Sequence, residues 1–308
     1  MNVAATPIVV TPSVLSASLQ QDLRSNQVQI ATFETQIATG RAVSLPSDNP
    51  AQAANILQLE ASVSRARQYS ANAQDGVDRL SLANATANSV MGVLQQVAST
   101  LEGLTGDQTT GNTTAIAGVA TSLESARAQL IGLANSSYAG QAIFAGTATP
   151  AQAYDATGTY VGAGTPPTRT VAAGTTVPVS VTGPTIFGPT GSTGLLGNTG
   201  ILARIIKELT TGGSAGISKA ATTGLSELQA AMSTVASAAG QLGVDQQAMQ
   251  GFAEQATATV TALERELAAA QDVTMAQAIT NLQAQQTSYQ AALYVTSQLN
   301  TESLVTYL

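Results

Sequence analysis

Cysteine is absent from this chain, and so are histidine and tryptophan. Without cysteine there are no disulfides, no thiol nucleophile and no Cys-ligated zinc. Without histidine the commonest general base and the commonest metal ligand are both missing. Charged residues make up only 9% of the 308, with a net charge of −7, against about a quarter in an average globular domain. Only two lysines occur, Lys207 and Lys219. No basic patch can be assembled to neutralise phosphates, which excludes nucleic acid as a partner. No apolar run approaches the roughly 20 residues that span a bilayer, so no membrane insertion is expected. Residues 1–12, with Pro7 and Pro12, read as an extended leader. Its Ile8-Val9-Val10 patch lacks the basic flank and the apolar length of a Sec signal peptide. A chain so poor in surface charge reads as one that buries much of its surface against copies of itself.

What the chain does have is helical periodicity. From Ile56 an unbroken 3-4 spacing runs through Leu59, Val63, Ala66, Ser70, Ala73, Val77, Leu80, Asn84, Ala87, Met91, Leu94, Ala98 and Leu101. Only Ser70 and Asn84 are polar on this seam, and the only glycines of the stretch before Gly103 are Gly76 and Gly92. The spacing predicts one helix from Pro50 to about Leu104, roughly 80 Å long at 1.5 Å per residue. Its apolar stripe needs partner helices along the whole length. The start is signalled by Ser47-Asp48-Asn49-Pro50: Asp48 or Asn49 can accept from the first free N–H groups, and Pro50 suits the first helical position.

Before it, a helix is expected from an N-cap at Ser13 to Gly40, with seam Leu19, Leu23, Asn26, Ile30, Phe33 and Ile37. Asn26 either fixes register at that seam or is a tolerated polar residue. After a break over Gly103–Gly111, a return helix carrying Ile116, Val119, Leu123, Leu130 and Leu133 is expected to run to Tyr138 and stop at Gly140. From Ile143 to Gly197 the composition changes to Gly, Thr and Pro. Short alternating runs at Thr159–Val161, Arg169–Val171 and Val177–Val181 read there as strands, with Pro178 on an edge. Helical spacing resumes at Ile201, Ile205 and Leu209, then at Ile217, Ala221, Leu225, Leu228, Met232, Val235 and Leu242. A break is expected near Asp272-Val273-Thr274. Past it lies a 3-4 stripe of Met275, Ile279, Leu282, Gln286, Tyr289 and Leu293, with Leu304 and Leu308 closing the chain.

The fold class follows: mainly α, a long-helix antiparallel bundle built from the N- and C-terminal segments, with a small β-rich insert at the turn. A lone terminal helix pair would leave most of its seam half wet, so it should be marginal alone and stable in a larger assembly. Catalytic chemistry has no foothold. Asp75 with Asp78, and Glu264 with Glu266, sit beside Arg79 and Arg265 as alternating surface charge. The expectation is a structural protein, not an enzyme, without cofactor or metal. A secreted coiled-coil adhesin or a needle-type subunit would share the periodicity.

Several motifs, in order, narrow this. Gln36–Arg41 looks like Q-I-S-T-G-K/R, ending on Gly40-Arg41. Leu45-Pro46-Ser47-Asp48-Asn49-Pro50-Ala51 looks like P-S-D-D-P-A. Tyr138–Thr147, with Gly140, Phe144 and Gly146, is similar to Y-x-G-x-Y-I/L-F-A-G-T, and Ser303–Leu308 to S-L-L-D-Y-L. Together they resemble the flagellin superfamily, and within it the hook–filament junction proteins; flagellin itself, the filament subunit, is the alternative.

The resemblance implies a protein exported through the flagellar type III apparatus to the extracellular flagellum, with five regions. These are an inner assembly helix over 1–45, a helical spoke over 46–142 and 198–272, a β-rich outer insert over 143–197, and a C-terminal assembly helix over 273–308. It implies as partners copies of the chain itself, the preceding hook-associated protein, flagellin and an export chaperone. The chain departs from the pattern at Ala142, where the family prefers an aromatic, and at Thr306, where it has Asp. Gln95–Leu101 lacks the arginine of the flagellin element read by an innate immune receptor, so that recognition is not carried over. The Pro46–Pro50 turn stands where flagellins usually have A-x-D-D-A-A-G, which favours a junction protein over a filament subunit.

Overall fold

The structure, a computed structural model, describes residues 12–105, 113–147 and 152–305. The leader at 1–11, part of the Gly103–Gly111 break and Thr306–Leu308 of the closing motif lie outside the described residues. Helix α1 spans Pro12–Thr39, α2 Pro50–Glu102 and α3 Thr113–Ala134. Hairpins follow, β1 (Ser137–Tyr138) with β2 (Gln141–Ala142) and β3 (Thr168–Ala172) with β4 (Thr175–Pro178), both antiparallel. Then come α4 (Gly183–Phe187), α5 (Ile201–Thr211), α6 (Gly213–Lys219), a π-turn at Ala220–Gly224, α7 (Leu225–Gln271) and α8 (Met275–Val305). This is the expected long-helix bundle with a small two-stranded β insert. The chain divides into two compact units, Met1–Ser64 with Thr261–Leu308, and Arg65–Val260.

Helix α2 starts as the sequence signals. The Oδ1 of Asn49 accepts the N–H of Gln52 at 3.1 Å, while Asp48 instead accepts from the Leu45 N–H within the preceding turn at 3.0 Å. Asn49 is therefore the cap, and Pro50 opens the helix where its missing N–H is harmless. In the second unit α2 and α7 run antiparallel. Ser70 meets Thr257 at 3.3 Å, and the amide of Asn84 reaches Gln246 at 3.5 Å. Between these points Gly76 lies against Met249, where an added Cβ would stand 2.6 Å from the thioether methyl. Both polar seam positions thus face polar partners, and Gly76, next to the seam, leaves room for Met249 opposite. Ala73, Leu80, Ala87, Leu94 and Leu101 are buried in the core of this unit, with Val77 and Met91 packed against it half-buried. Ile56 and Val63 are buried in the first unit; Leu59 is half-buried there.

Several expectations need correction. The strand expected over Val177–Val181 ends at Pro178, the last residue of β4, and Ser13, expected as an N-cap, lies inside α1. Pro12 is the first residue of α1, not the end of a leader. Helix α3 ends at Ala134, four residues short of Tyr138. Asn135 leaves the helix because its amide brackets the Tyr154 backbone, donating to the carbonyl and accepting the N–H at 2.8 Å each. Thr159–Val161 forms no strand; Tyr160 makes one isolated bridge to Tyr154, between a turn at Gly158 (φ +78°) and Gly162, where a Cβ would collide with the Ala145 carbonyl and the Tyr160 ring. Arg79 is not on the surface: it is only 3% exposed.

Candidate assembly surfaces

The terminal helices pair within the first unit. Gln285 donates from Nε2 to Oδ1 of Asn26 at 2.8 Å, and Gln27 donates to the Tyr289 hydroxyl at 2.7 Å. At the other end Ala42 donates its N–H to Gln271 O at 2.7 Å, and Val273 donates to Gly40 O at 3.0 Å. The order of these contacts makes α1 and α8 antiparallel. Gly40, at φ +71°, lets the chain leave α1 directly into this pairing. The break between α7 and α8 is thus fastened by backbone to the break after α1. Asn26 has its partner, a glutamine one helix away. Periodicity overlooked Gln285 because it is polar; the signal was Asn26 itself, which needs a polar neighbour when half-buried.

Leu19, Leu23, Ile30, Phe33 and Ile37 are all half-buried on α1, as are Leu282 and Tyr289 on α8. Leu308 and the side chain of Leu304 lie outside the described residues. Ile279 and Leu293 do not join the pair: each is 43% exposed, as is Met275 at 45%. The face of α8 turned towards α1 holds Ala278, Leu282, Gln285, Tyr289, Ala292 and Thr296, which with Asn281 are its buried and half-buried positions among the described side chains. It keeps Leu282 and Tyr289 of the expected stripe but is rotated from it by about 60°, at 100° per residue on a 3.6-residue turn. On α8 small and amide side chains share the pairing face with Leu282 and Tyr289, while Met275, Ile279 and Leu293 are left outside.

Eight of the ten exposed large apolar side chains among the described residues belong to this first unit. On α1, Val28 points away from the α8-facing seam and is 66% exposed. With Leu45 of the following turn, Thr32, Gln36 and Asp48 it lines an open groove of about 430 Å³. Ser44, Leu45 and Asp48, from the segment that leads into α2, therefore form part of the groove wall.

The Tyr138–Gly146 motif performs a different task. Ala139 (φ 49°) and Gly140 (φ 78°) make the two-residue turn between β1 and β2 that requires positive φ twice. The chain is thereby turned into the insert, where Phe144 is fully buried edge-on to Phe187 at 5.9 Å. Phe187 in turn meets Tyr154 at 5.4 Å, and Tyr154 meets Tyr160 at 5.2 Å. Burial pushes the Tyr154 hydroxyl well above the ordinary phenol range. At Gly146 a Cβ would press on the Ala163 carbonyl, the partner of its bridge. Ala142, where an aromatic was expected, is buried in the same core.

The charged groups are structural. Asp75 holds Arg169 of β3 through Oδ2 and Nε at 2.7 Å, and Asn72 donates to Thr170 O at 2.8 Å, which fastens the second hairpin to α2. Arg79 has no partner for its Nε, and burial lowers its pKa. Among the described residues no group of acidic side chains could hold a metal ion, and no helix is long and apolar enough to cross a membrane.

Comparison with known proteins gives matches at both ends. The bacterial flagellin N-terminal helical region matches residues 10–149, and the bacterial flagellin C-terminal helical region matches residues 225–308. No curated protein sequence matches. Among solved structures, a Vibrio parahaemolyticus protein described as flagellar hook-associated superposes with a TM-score of 0.63 at 21% identity, over 72% of this chain and 99% of that one. FlgL of Bacillus cereus superposes with a TM-score of 0.54 at 16% identity, over 68% of this chain and 99% of that one. At these identities the likeness is one of fold.

Proposed function

Because the chain belongs to the flagellin family, its helical regions matching over residues 10–149 and 225–308, we propose that it is a structural component of the bacterial flagellum that joins hook to filament. The observation that carries this reading is the placement of exposed apolar surface. Met275, Ile279 and Leu293 on α8, and Val28 and Leu45 beside α1, stand in water on the unit built from both chain ends. The Leu19–Ile37 seam is half-buried in the α1–α8 pair. A layer of such pairs in contact would cover both sets. The assembly interface is then α1 and α8 of neighbouring copies, with the core of the second unit holding each subunit rigid.

The junction role, rather than that of a filament subunit, is supported by the Pro46–Pro50 turn and by the hook-associated description of the structural relatives, each covered over 99% of its length. The partners are copies of the chain, the preceding hook-associated protein on one side, flagellin on the other, and a chaperone during export through the flagellar type III system. No step in this role calls on a catalytic residue or a cofactor.

Seeded assembly tests it. A filament subunit contacts copies of itself head-to-tail and grows without limit. A junction protein has unlike axial faces. Purified protein added to hooks that carry the preceding junction protein should add one layer, then stop until flagellin is supplied. Long filaments of this protein alone, seen by electron microscopy, would leave the filament subunit as the better reading.

A further inference from the structure

One carboxylate of the second unit has two arginines near it and pairs with the more distant in sequence. Asp75 of α2 holds Arg169 of β3, Oδ2 to Nε at 2.7 Å. Arg79 follows Asp75 by four residues on the same helix, the acid-then-base spacing that favours pairing along a helix face. Its Nε nevertheless has no partner, although the side chain is only 3% exposed. Burial lowers its pKa, the Arg169 charge lowers it further, and Asp75 opposes both. Asp78, the other acid of this turn, is exposed and accepts from the Gln74 amide at 3.1 Å. Arg79 is thus buried and unsatisfied beside a carboxylate that Arg169 occupies.

The hairpin that carries Arg169 is lightly built. A two-stranded hairpin alone is marginal in water, and a register shift between Thr170 and Ala172 interrupts this one. Its buried side chains are Val171 and Val177. Two polar contacts tie it to α2: the Arg169–Asp75 pair, and Asn72 donating to Thr170 O at 2.8 Å. Its base is fixed more firmly. Val179 donates its N–H to Pro167 O at 2.9 Å, and the fully buried Ser180 hydroxyl donates to Ile143 O.

We propose that the β3–β4 hairpin is a strap that lifts from α2 by an exchange of partners at Asp75, which Arg169 holds when the strap is down and Arg79 takes when it is up. Breaking an ion pair that is partly shielded from water normally strands the group left behind. Here the stranded carboxylate has a second guanidinium one helical turn away. The same movement gives the orphaned Arg79 donor a partner and removes the repulsion between the two arginines. What opposes lifting is then chiefly the burial of two valines, so the strap should open well below the free energy of unfolding the unit, as local openings do.

Amide exchange and arginine side-chain NMR on the soluble full chain test this, independently of any assembly. In the unaltered protein the amides of residues 168–177 should exchange at least about tenfold faster than those of α2 around Ala73 and Leu80. Arg169→Met should speed the hairpin amides by about tenfold more, the order that loss of one charge-assisted hydrogen bond gives, and leave the α2 amides protected. In that variant the Arg79 Nε–H signal should move as it gains a carboxylate partner. It should return towards its original position in Arg169→Met/Asp75→Asn. Arg169→Gln serves if the methionine variant does not fold. Hairpin amides that exchange no faster than those of α2 overturn the strap. An Arg79 Nε–H signal that stays in place when Arg169 is removed, or that moves equally without Asp75, overturns the exchange of partners.

Discussion

Replacing Leu80 by alanine, and separately its neighbour Arg79 by methionine, should have opposite consequences. Leu80 is fully buried on α2. Truncation removes three carbons' worth of burial, about 2.4 kcal/mol at roughly 0.8 per methylene. What remains is a void. The surrounding core is rich in alanine, including Ala73, Ala83 and Ala87, whose side chains end at Cβ and cannot swing in to fill it. A residual cavity of about 60 Å³, at about 24 cal/mol per Å³, adds about 1.4 kcal/mol. The expected loss is thus about 2.5–4 kcal/mol.

Arg79 is also buried, but its guanidinium is desolvated with Nε unpaired, and Asp75 would keep Arg169 at 2.7 Å in its absence. An unpaired buried donor costs about 1–3 kcal/mol. Arg79→Met retains most of the volume and leaves no carboxylate orphaned, so the change should be neutral or stabilising by up to about 2 kcal/mol. Urea unfolding followed by circular dichroism, with the slope unchanged, gives both numbers. A loss below 1 kcal/mol for Leu80→Ala, or a larger loss for Arg79→Met than for Leu80→Ala, would refute the packing described for α2.

Other predictions follow from single contacts. Gly76→Val should cost about 1–3 kcal/mol by overpacking against Met249; Gly92→Ala, with nothing within 4 Å of the new Cβ, should gain up to about 1 kcal/mol, both read by thermal unfolding. Arg127 donates to Leu196 O at 2.8 Å, to Thr157 O at 2.5 Å and to Asn198 at 3.0 Å, so Arg127→Ala should speed amide exchange at residues 155–159 and 195–199 while leaving the α2 amides protected. The Asp155 carboxylate accepts from the Thr157 side chain and from the Thr157 and Thr159 backbones, which lowers its pKa. The charged form is the one the turn favours, so its contribution is complete above the ordinary carboxylate value and disappears as pH falls through the lowered one. The Thr157 and Thr159 amide shifts should titrate with a midpoint below that of a free aspartate, and Asp155→Asn should abolish the titration.

Where one face of a helix meets a large core, sequence and structure agree. The Ile56–Leu101 seam is legible because most of its apolar positions are buried and the rest half-buried. The Asn49-Pro50 start is legible because capping is chemistry of neighbouring residues. Arg79 was misread for the converse reason. Beside Asp75 and Asp78 it looks like a solvated charge pattern, and its burial comes with Tyr138 and Arg169, distant in sequence, close enough to act on its charge. The strand pattern at Thr159–Val161 failed in the same way. Two aromatics and two glycines create a corner there, and alternation over three residues cannot tell a corner from a ladder.

The phase of α8 is the most informative miss. The 3-4 stripe of Met275, Ile279, Leu282, Gln286, Tyr289 and Leu293 points to the face that meets α1 on the rule that the most apolar face is the buried one. In a pair of long, thin helices that rule fails, because two helices cannot cover a wide apolar face. The closer contact goes to alanine and to amides that bond across the interface, as Gln285 does to Asn26. Ile279 and Leu293 are then free to serve a neighbour. If they do, polar substitution at both should leave the unfolding of the isolated protein nearly unchanged, since neither side chain is buried in it. The same change should abolish incorporation into the seeded layer. Ala278→Gln, buried against the pair, should show the reverse order, with stability lost first. Equal loss of stability in both variants would return Ile279 and Leu293 to the intramolecular seam.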